Sequence, residues 1–290
     1  MEMINLESVA IFKAVVEEGG VVRAAAKLHR VPSNVTTRIR RLEEYLGVRL
    51  FRRQGRTLSL SAEGRTLHNY SLRLLRLADE AVHELRTGRA QGTFRLGALE
   101  STAGTRLAPI LSRYHAELPG VVVELVTGTT GALIHRVMNF DIEAAFVSEP
   151  FTSSDLKSAA VFREELVLIT SKQIANVRTA RDLGQSTMIA FAHGCSYRKR
   201  LEDWLVSENV MPERALEFVS YQGMIACVAA GTGFAIVPKS VLIALNATEK
   251  VNQHALPQRV SANRTHLVWR GEPSLALNGL IRLLQTIKQR

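Results

Sequence analysis

Leu6, Val9, Ala10, Phe12, Val15 and Val16 recur at helical spacing up to Gly19-Gly20, where glycine ends a helix. Val22, Ala25, Ala26 and Leu28 predict a short second helix whose small residues permit close packing and which Val31-Pro32 breaks. A third helix starts near Pro32-Ser33. On it Val35, Ile39, Leu42 and Leu46 share one face and point into a core. The opposite face is thereby forced outward, carrying Ser33, Thr36, Thr37, Arg40 and Arg41, with Asn34 and Arg38 on its flank. After Gly47, apolar residues flank a basic Gln54-Gly55 turn between Leu50 and Leu60, as a β-hairpin requires. From Ser61 to about Arg86 the helical pattern is unbroken, with Leu67, Leu74, Leu77, Ala78, Ala81, Val82 and Leu85 on or near one stripe. A helix this long, standing outside either core, buries its seam against a second copy of itself or against the chain's own C-terminal domain.

Beyond residue 90 strands alternate with helices: 94–98, a helix through Leu107, Ile110, Leu111 and Tyr114, 121–126, a helix through Leu133, Ile134 and Val137, then 144–147. This alternation predicts a parallel sheet with helices on its faces. A second unit runs through 165–169, 188–191 and 233–238, and 266–269 returns towards the first. Crossings near 161–165 and 263–267 predict a two-stranded hinge, and Leu277, Leu280, Ile281, Leu284 and Ile287 a closing amphipathic helix.

At 290 residues and 46% hydrophobic content the chain can build more than one domain. No run of eighteen apolar residues occurs and the N-terminus carries acids where an export signal needs bases, which predicts the cytoplasm and no membrane partner. The net charge of +10 favours a polyanionic partner. Between Arg23 and Arg56 ten basic residues face only Glu43 and Glu44, so this stretch holds most of the excess. A solvated basic face is the plainer alternative. Hydroxyls and guanidinium groups on the third helix suit base edges and phosphates, the tight second-to-third turn is the helix-turn-helix arrangement, and Arg52, Arg53, Gln54 and Arg56 form a wing that reaches backbone phosphate or the minor groove. Arg23 and Pro32 complete the expected DNA-contacting set.

The runs 24–28, 35–53 and 58–64, from Ala24-Ala25-Ala26-Lys27-Leu28 through Arg38-Ile39-Arg40-Arg41-Leu42-Glu43-Glu44 to Ser61-Ala62-Glu63-Gly64, resemble the DNA-binding module of LysR-type transcriptional regulators. The resemblance extends over nearly the whole chain. It implies an α/β protein with an all-α-type winged helix-turn-helix N-terminal domain (1–61), a linker and dimerisation helix (62–90) and a two-lobed, periplasmic-binding-protein-like effector domain (91–290). Lobe I is expected at 91–161 and 267–290, lobe II at 162–266. Implied partners are double-stranded promoter DNA, a small-molecule effector, further copies in a homodimer or homotetramer, and RNA polymerase. Many family members carry Gln where this chain has Pro32 and Arg where it has Thr37, so operator preference is this chain's own.

Ligands of open parallel sheets bind beyond the carboxyl ends of strands, at the N-termini of the next helices. Glu100-Ser101-Thr102, Thr127-Gly128-Thr129 and His193-Gly194-Cys195-Ser196 stand at such ends. Ser101, Thr102, Thr129, Phe191, Ser196 and Tyr221 are therefore expected effector contacts, with Val147 and Ser148 on the opposite wall and Arg198 available to an effector carboxylate or to a surface role. The serines and threonines are equally suited to capping helices. The segments 99–103, 126–131 and 194–198 also resemble a branch that includes putrescine-utilisation regulators. A polyamine would use Glu100 and Glu149, an organic acid Arg198 and helix N-termini. No nucleophile elbow, nucleotide loop, metal pair or cofactor motif appears, which predicts neither an enzyme nor a metalloprotein. His193 is expected at a pocket rim or a helix cap. Cys195, preceding a helix, and Cys227 leave a thiol-based redox sensor as the alternative.

Overall fold

Asn5 opens α1 (Leu6–Glu17) by accepting the amides of Glu7 at 2.8 Å and Ser8 at 3.2 Å. The computed structural model describes residues 4–54, 57–88, 90–152, 154–184 and 186–288. The chain divides into two units, Met1–Arg89 and Ala90–Arg290. In the first, α2 (Val21–Lys27) buries Ala24 and Ala25 while Val22 and Ala26 are exposed. The expected face is thus rotated by one residue, because only the two alanines fit between α1 and its other neighbour, α3 (Pro32–Leu46). Pro32 stands in the first turn of α3, and Gly47 ends it in the left-handed region at φ 67°. Val35, Ile39 and Leu42 join Phe12, Val15, Ala24 and Leu50 in one core.

The hairpin β1 (Phe51–Gln54) and β2 (Thr57–Leu60) is antiparallel, with Phe51 opposite Leu60 and Arg52 opposite Ser59. Phe51 anchors it against Phe12, ring centroids 5.4 Å apart. Ser61 then donates to the Arg49 carbonyl at 2.7 Å and accepts the Gly64 amide at 2.8 Å, starting α4 (Ala62–Thr87). Gly64 is required there, since a Cβ would stand 2.1 Å from the Leu50 carbonyl oxygen.

The second unit begins with β3 (Gly92–Ala98), then α5 (Glu100–Thr102), a π-helical turn at Ala103–Leu107 and α6 (Ala108–Glu117). It continues through β4 (Val121–Thr127), α7 (Thr130–Met138), β5 (Ala144–Ser148) and the fifteen-residue β6 (Leu156–Thr170). Then follow β7 (Met188–Phe191), α8 (Ser196–Ser207), β8 (Ala215–Phe218), α9 (Tyr221–Ala229), β9 (Ala235–Pro238) and α10 (Lys239–Ala244). The last elements are β10 (Asn252–His254), α11 (Gln258–Ser261), β11 (Ala262–Arg270) and α12 (Leu275–Lys288). Strand order is β4-β3-β5-β11-β6, and the far half of β6 pairs with β9 and β10.

The expected parallel sheet is mixed. β3 pairs in parallel with β4 and β5, but β11 runs antiparallel to β5 and to β6. A chain that leaves one lobe and comes back must return in the opposite direction, and β11 is that return strand. The pairing of β6 with β11 shifts register between Thr265 and His266. Towards β5 and β3 lies a core around Phe94, Leu96, Tyr114, Phe146 and Leu280. Behind β9 lies another around Ile169, Met224 and Val237. A third joins Leu133, Val137 and Val147 to Leu168, Met188, Leu201 and Trp204, so the lobes share buried apolar surface.

Candidate DNA-reading face and ligand cavity

On α3, Ser33, Asn34, Thr37, Arg40 and Arg41 are exposed, above a wholly buried underside of Val35, Ile39 and Leu42. Pro32 and Arg23 are exposed beside them. Thr36 is half-buried and its hydroxyl donates to the Pro32 carbonyl at 2.9 Å.

The cations divide into paired and unpaired. Arg38 lies 3.2 Å from Glu7, which Arg30 also meets at 2.6 Å. The hydrogen bond from Arg30, then the charge of Arg38, hold the Glu7 carboxyl below its ordinary range. Lys27 meets Glu18 at 2.6 Å, Arg49 meets Glu43 at 2.9 Å, and Arg23 donates to the Gly19 carbonyl at 3.2 Å. Arg40 and Arg41 have no ion-pair partner among the described residues. Arg52 is exposed on β1. Arg56 lies outside the described residues, as do the side chains of Arg53 and Gln54.

Glu43 is the residue that reading the sequence missed. Its carboxylate is only 8% exposed and accepts the amides of Leu50 at 2.7 Å and Phe51 at 3.3 Å. An acid one turn from the end of α3 thus fixes where the hairpin begins. Its place beside the buried Leu42, off the cationic face, is the signal that could have found it.

In the second unit a cavity of about 230 Å³ opens at the ends of β3, β4 and β7. Ser101, Thr129, Phe191, Ser196 and Tyr221 line it, together with Glu100, Tyr197, Phe218 and Val219. Thr129 also caps α7, accepting the Ala132 amide at 3.3 Å. Phe191 and Tyr221 meet edge to face at 4.8 Å between centroids. Burial pushes the Tyr197 and Tyr221 hydroxyls well above their ordinary values. The carboxyl of Glu100 is pushed up too, by burial against the opposing hydrogen bond from the Tyr221 amide. The π-helical turn follows directly on Glu100–Thr102, where the helix adjusts to hold that wall.

Four expected contacts do not line the cavity. Thr102 is buried beneath the wall. Val147 and Ser148 lie within β5 rather than beyond it, so Val147 enters the shared core. The backbone amide of Ser148 donates to the Thr130 hydroxyl at 3.2 Å, while its own hydroxyl lies 2.7 Å from the Asn263 side-chain amide. Arg198 is 7% exposed and fully engaged: Glu202 at 2.7 Å, Glu217 at 2.5 Å, the Phe191 carbonyl at 3.1 Å and the His193 ring at 3.0 Å. A guanidinium committed to two carboxylates has no fork left for an effector acid.

The redox alternative meets the opposite chemistry from the one it needs. Burial pushes the Cys195 thiol up, against the lowering effect of the Arg198 and Tyr197 amides, whereas a sensor requires a depressed one. Cys227 sits partly buried on α9. Among the described residues no cluster of His, Cys, Asp or Glu is arranged to hold a metal ion, and no helix is long and apolar enough to cross a membrane.

A winged helix-turn-helix followed by a two-lobed mixed α/β domain with a cleft defines a ligand-responsive DNA-binding regulator. The family described as "Bacterial regulatory helix-turn-helix protein, lysR family" matches residues 6–65, and "LysR substrate binding domain" matches residues 87–288. The chain belongs to the LysR family of transcriptional regulators, which bind DNA, respond to effector ligands and are not enzymes. It is 35% identical to the HTH-type transcriptional regulator CzcR of Bacillus subtilis over 285 residues, covering 98% of this chain and 96% of that one. With the regulator GltR of the same organism it shares 32% identity over 267 residues, 92% and 90% of the two chains. Its fold is similar to that of full-length CbnR in complex with its target DNA (TM-score 0.70, 19% identity, 98% and 99% covered). It is also similar to that of a full-length OxyR variant from Pseudomonas aeruginosa (TM-score 0.71, 17% identity, 99% and 95% covered).

Proposed function

We propose that the exposed face of α3 enters the major groove of promoter DNA, that the β1–β2 wing meets the adjacent backbone, and that a small molecule in the 230 Å³ cavity alters this binding. The observation that carries the reading is the burial of Val35, Ile39 and Leu42 beneath Ser33, Asn34, Thr37, Arg40 and Arg41. Burial of one side dictates what the other side presents.

Base reading falls to Ser33, Asn34 and Thr37, whose short polar groups stand at the start of the helix; Arg40, Arg41 and Arg52 supply phosphate contacts. Arg38, spoken for by Glu7, orients α1 against α3. Because the two lobes share buried apolar surface, wide opening would expose it, so the effector acts by small adjustments along β6 and β11. Self-association through α4, as a dimer or a dimer of dimers, carries that adjustment to the spacing of paired half-sites. RNA polymerase is the further partner, and the cytoplasm the place of action, that promoter binding requires.

The test is the salt dependence of binding between the full chain and genomic fragments selected by it in dilute salt. Arg41→Ala lowers the slope of log K against log salt by about one unit, as loss of one phosphate contact requires. Arg38→Ala moves the slope by less. Equal slopes for wild type and Arg41→Ala overturn the assignment.

A further inference from the structure

The cavity wall carries one acid and no base. Among its described lining residues there is no Lys, Arg or His, and Glu100 is the sole carboxylate. One Glu100 oxygen receives a single long hydrogen bond, 3.4 Å, from the Tyr221 amide. The other is buried and has no hydrogen-bond partner among the described residues. A carboxylate half removed from water and left without a counter-charge is costly, and a ligand that brings positive charge recovers that cost.

Several of the amides at the helix N-termini around the cavity are already engaged within the fold. Partial positive charge at a helix start attracts anions only where its amides are free. In α7, Gly131 donates to the Gly194 carbonyl at 3.0 Å and Ala132 to Thr129 at 3.3 Å. In α8, the Tyr197 and Arg198 amides are directed to the Cys195 sulfur. In α9, Tyr221 donates to Glu100 itself and Gly223 to Ser220 at 3.3 Å. The guanidinium of Arg198 is held by Glu202 and Glu217. What the wall offers a ligand is the Glu100 carboxyl, the one charged group among its described lining residues, with the hydroxyls of Ser101, Thr129 and Ser196 and the rings of Phe191 and Tyr221, whose faces favour cations.

We infer that the cavity recognises an organic ammonium, a primary amine with an apolar body, its nitrogen on Glu100 and its body against Phe191 and Tyr221. This rests on the reading of the cavity as the effector site. Burial also pushes the Glu100 carboxyl up, as befits an acid that lacks its cation. At about 30 Å³ per water, a cavity of about 230 Å³ holds on the order of eight waters, so the amine has roughly that many non-hydrogen atoms.

Calorimetry on the full chain tests this with phenethylamine and n-hexylamine against the matched alcohols 2-phenylethanol and n-hexanol and the matched acids 3-phenylpropanoate and heptanoate. At least one amine is expected to bind at least tenfold tighter than its alcohol, with no measurable binding of its acid. Glu100→Gln, which keeps size and shape, is expected to lose at least that tenfold, and Glu100→Asp to fall between the two. Circular dichroism identifies any variant that fails to fold, in which case the ranking of amine, alcohol and acid on the wild-type chain decides. The inference is overturned if no amine binds, if an acid or alcohol binds as well as its amine, or if folded Glu100→Gln binds the amine unchanged. An amine that binds through Glu100 yet leaves promoter affinity unaltered keeps the ammonium site and sinks the effector reading instead.

Discussion

The carboxylate of Glu43 accepts the backbone amide of Leu50 at 2.7 Å, tying the last turn of α3 to the residue before β1. Arg49 closes over the same carboxylate at 2.9 Å, from a position that is itself exposed. Two elements with exposed cations, α3 with Arg40 and Arg41 and β1 with Arg52, are therefore registered to each other through a buried acid. Glu43→Ala strands the Leu50 amide in the core beside Phe12 and Phe51. The expected loss is about 2 kcal/mol of stability, the usual cost of an unsatisfied buried donor. Urea unfolding of the full chain measures it. An unchanged midpoint for the transition of the N-terminal unit removes the pin.

Glu100 gives a pH dependence whose sign follows from its environment. Burial raises the carboxyl, opposed by the Tyr221 amide, so the native state holds this proton at pH values where the unfolded chain has released it. Where the native state binds more protons, stability falls as pH rises. The cost begins above the ordinary carboxylate range and is complete above the raised native value. Glu100→Gln does not pay it. The thermal midpoints of wild type and Glu100→Gln are expected to converge in acid and to separate with rising pH, the variant being the more stable. A gap that is constant from pH 4 to pH 8 contradicts the assignment.

Cys195 is expected to stay inert. Its thiol is buried and pushed up, and the amides at the start of α8 do not compensate. Cys195 borders the cavity, yet with its thiol pushed up little thiolate forms, so iodoacetamide at neutral pH labels it far more slowly than a free thiol. Cys195→Ser leaves promoter binding under peroxide unchanged. Rapid labelling of the folded protein, or loss of a peroxide response in the variant, restores the redox alternative.

Where the residues dictate their own orientation, sequence and structure agree. Val35, Ile39 and Leu42 recur with the helical period, and the exposure of Thr37, Arg40 and Arg41 follows from them without knowledge of any partner. Position along a strand was harder to read. Val147 and Ser148 are β5 itself, because the pairing of β5 with β11 continues to Ser148 opposite Thr265. The fifteen-residue β6 has no clear strand signature over its first part, Leu156 to Glu164, where apolar and polar residues are half-buried or exposed, and only Leu166–Thr170 is fully buried. Arg198 shows the same limit for charge: one turn into α8 it faces Glu217 of β8, a neighbour supplied by tertiary pairing with β7. Glu43 and Glu100 could be counted as acids, but their burial depends on segments that fold back from elsewhere in the chain.

The stripe on α4 leads to the last expectation. At 1.5 Å per residue its 26 residues span about 39 Å, and an isolated helix of mixed sequence is marginal in water. Ser61 and Gly64 fix its start and Leu67 reaches the first unit's core, but Leu77 is 64% exposed, Val82 45% and Leu85 87%. Leu77 and Leu85, eight residues apart, stand about 80° from each other around the helix with Val82 about 60° beyond Leu85, a broad apolar side that a second helix running alongside covers in part. Burying a leucine contributes roughly 2 kcal/mol, so Leu77 and Leu85 from two chains supply roughly 8 kcal/mol, or between five and six decades in the association constant at about 1.4 kcal/mol each. Leu77→Glu/Leu85→Glu is therefore expected to sediment as a smaller species at micromolar concentration with its circular dichroism largely retained. The same variant binds a paired half-site far more weakly, because two α3 helices no longer arrive together. If its sedimentation matches that of the wild type, the seam is covered by something other than a second copy, and the coupling of effector to half-site spacing must run through another surface.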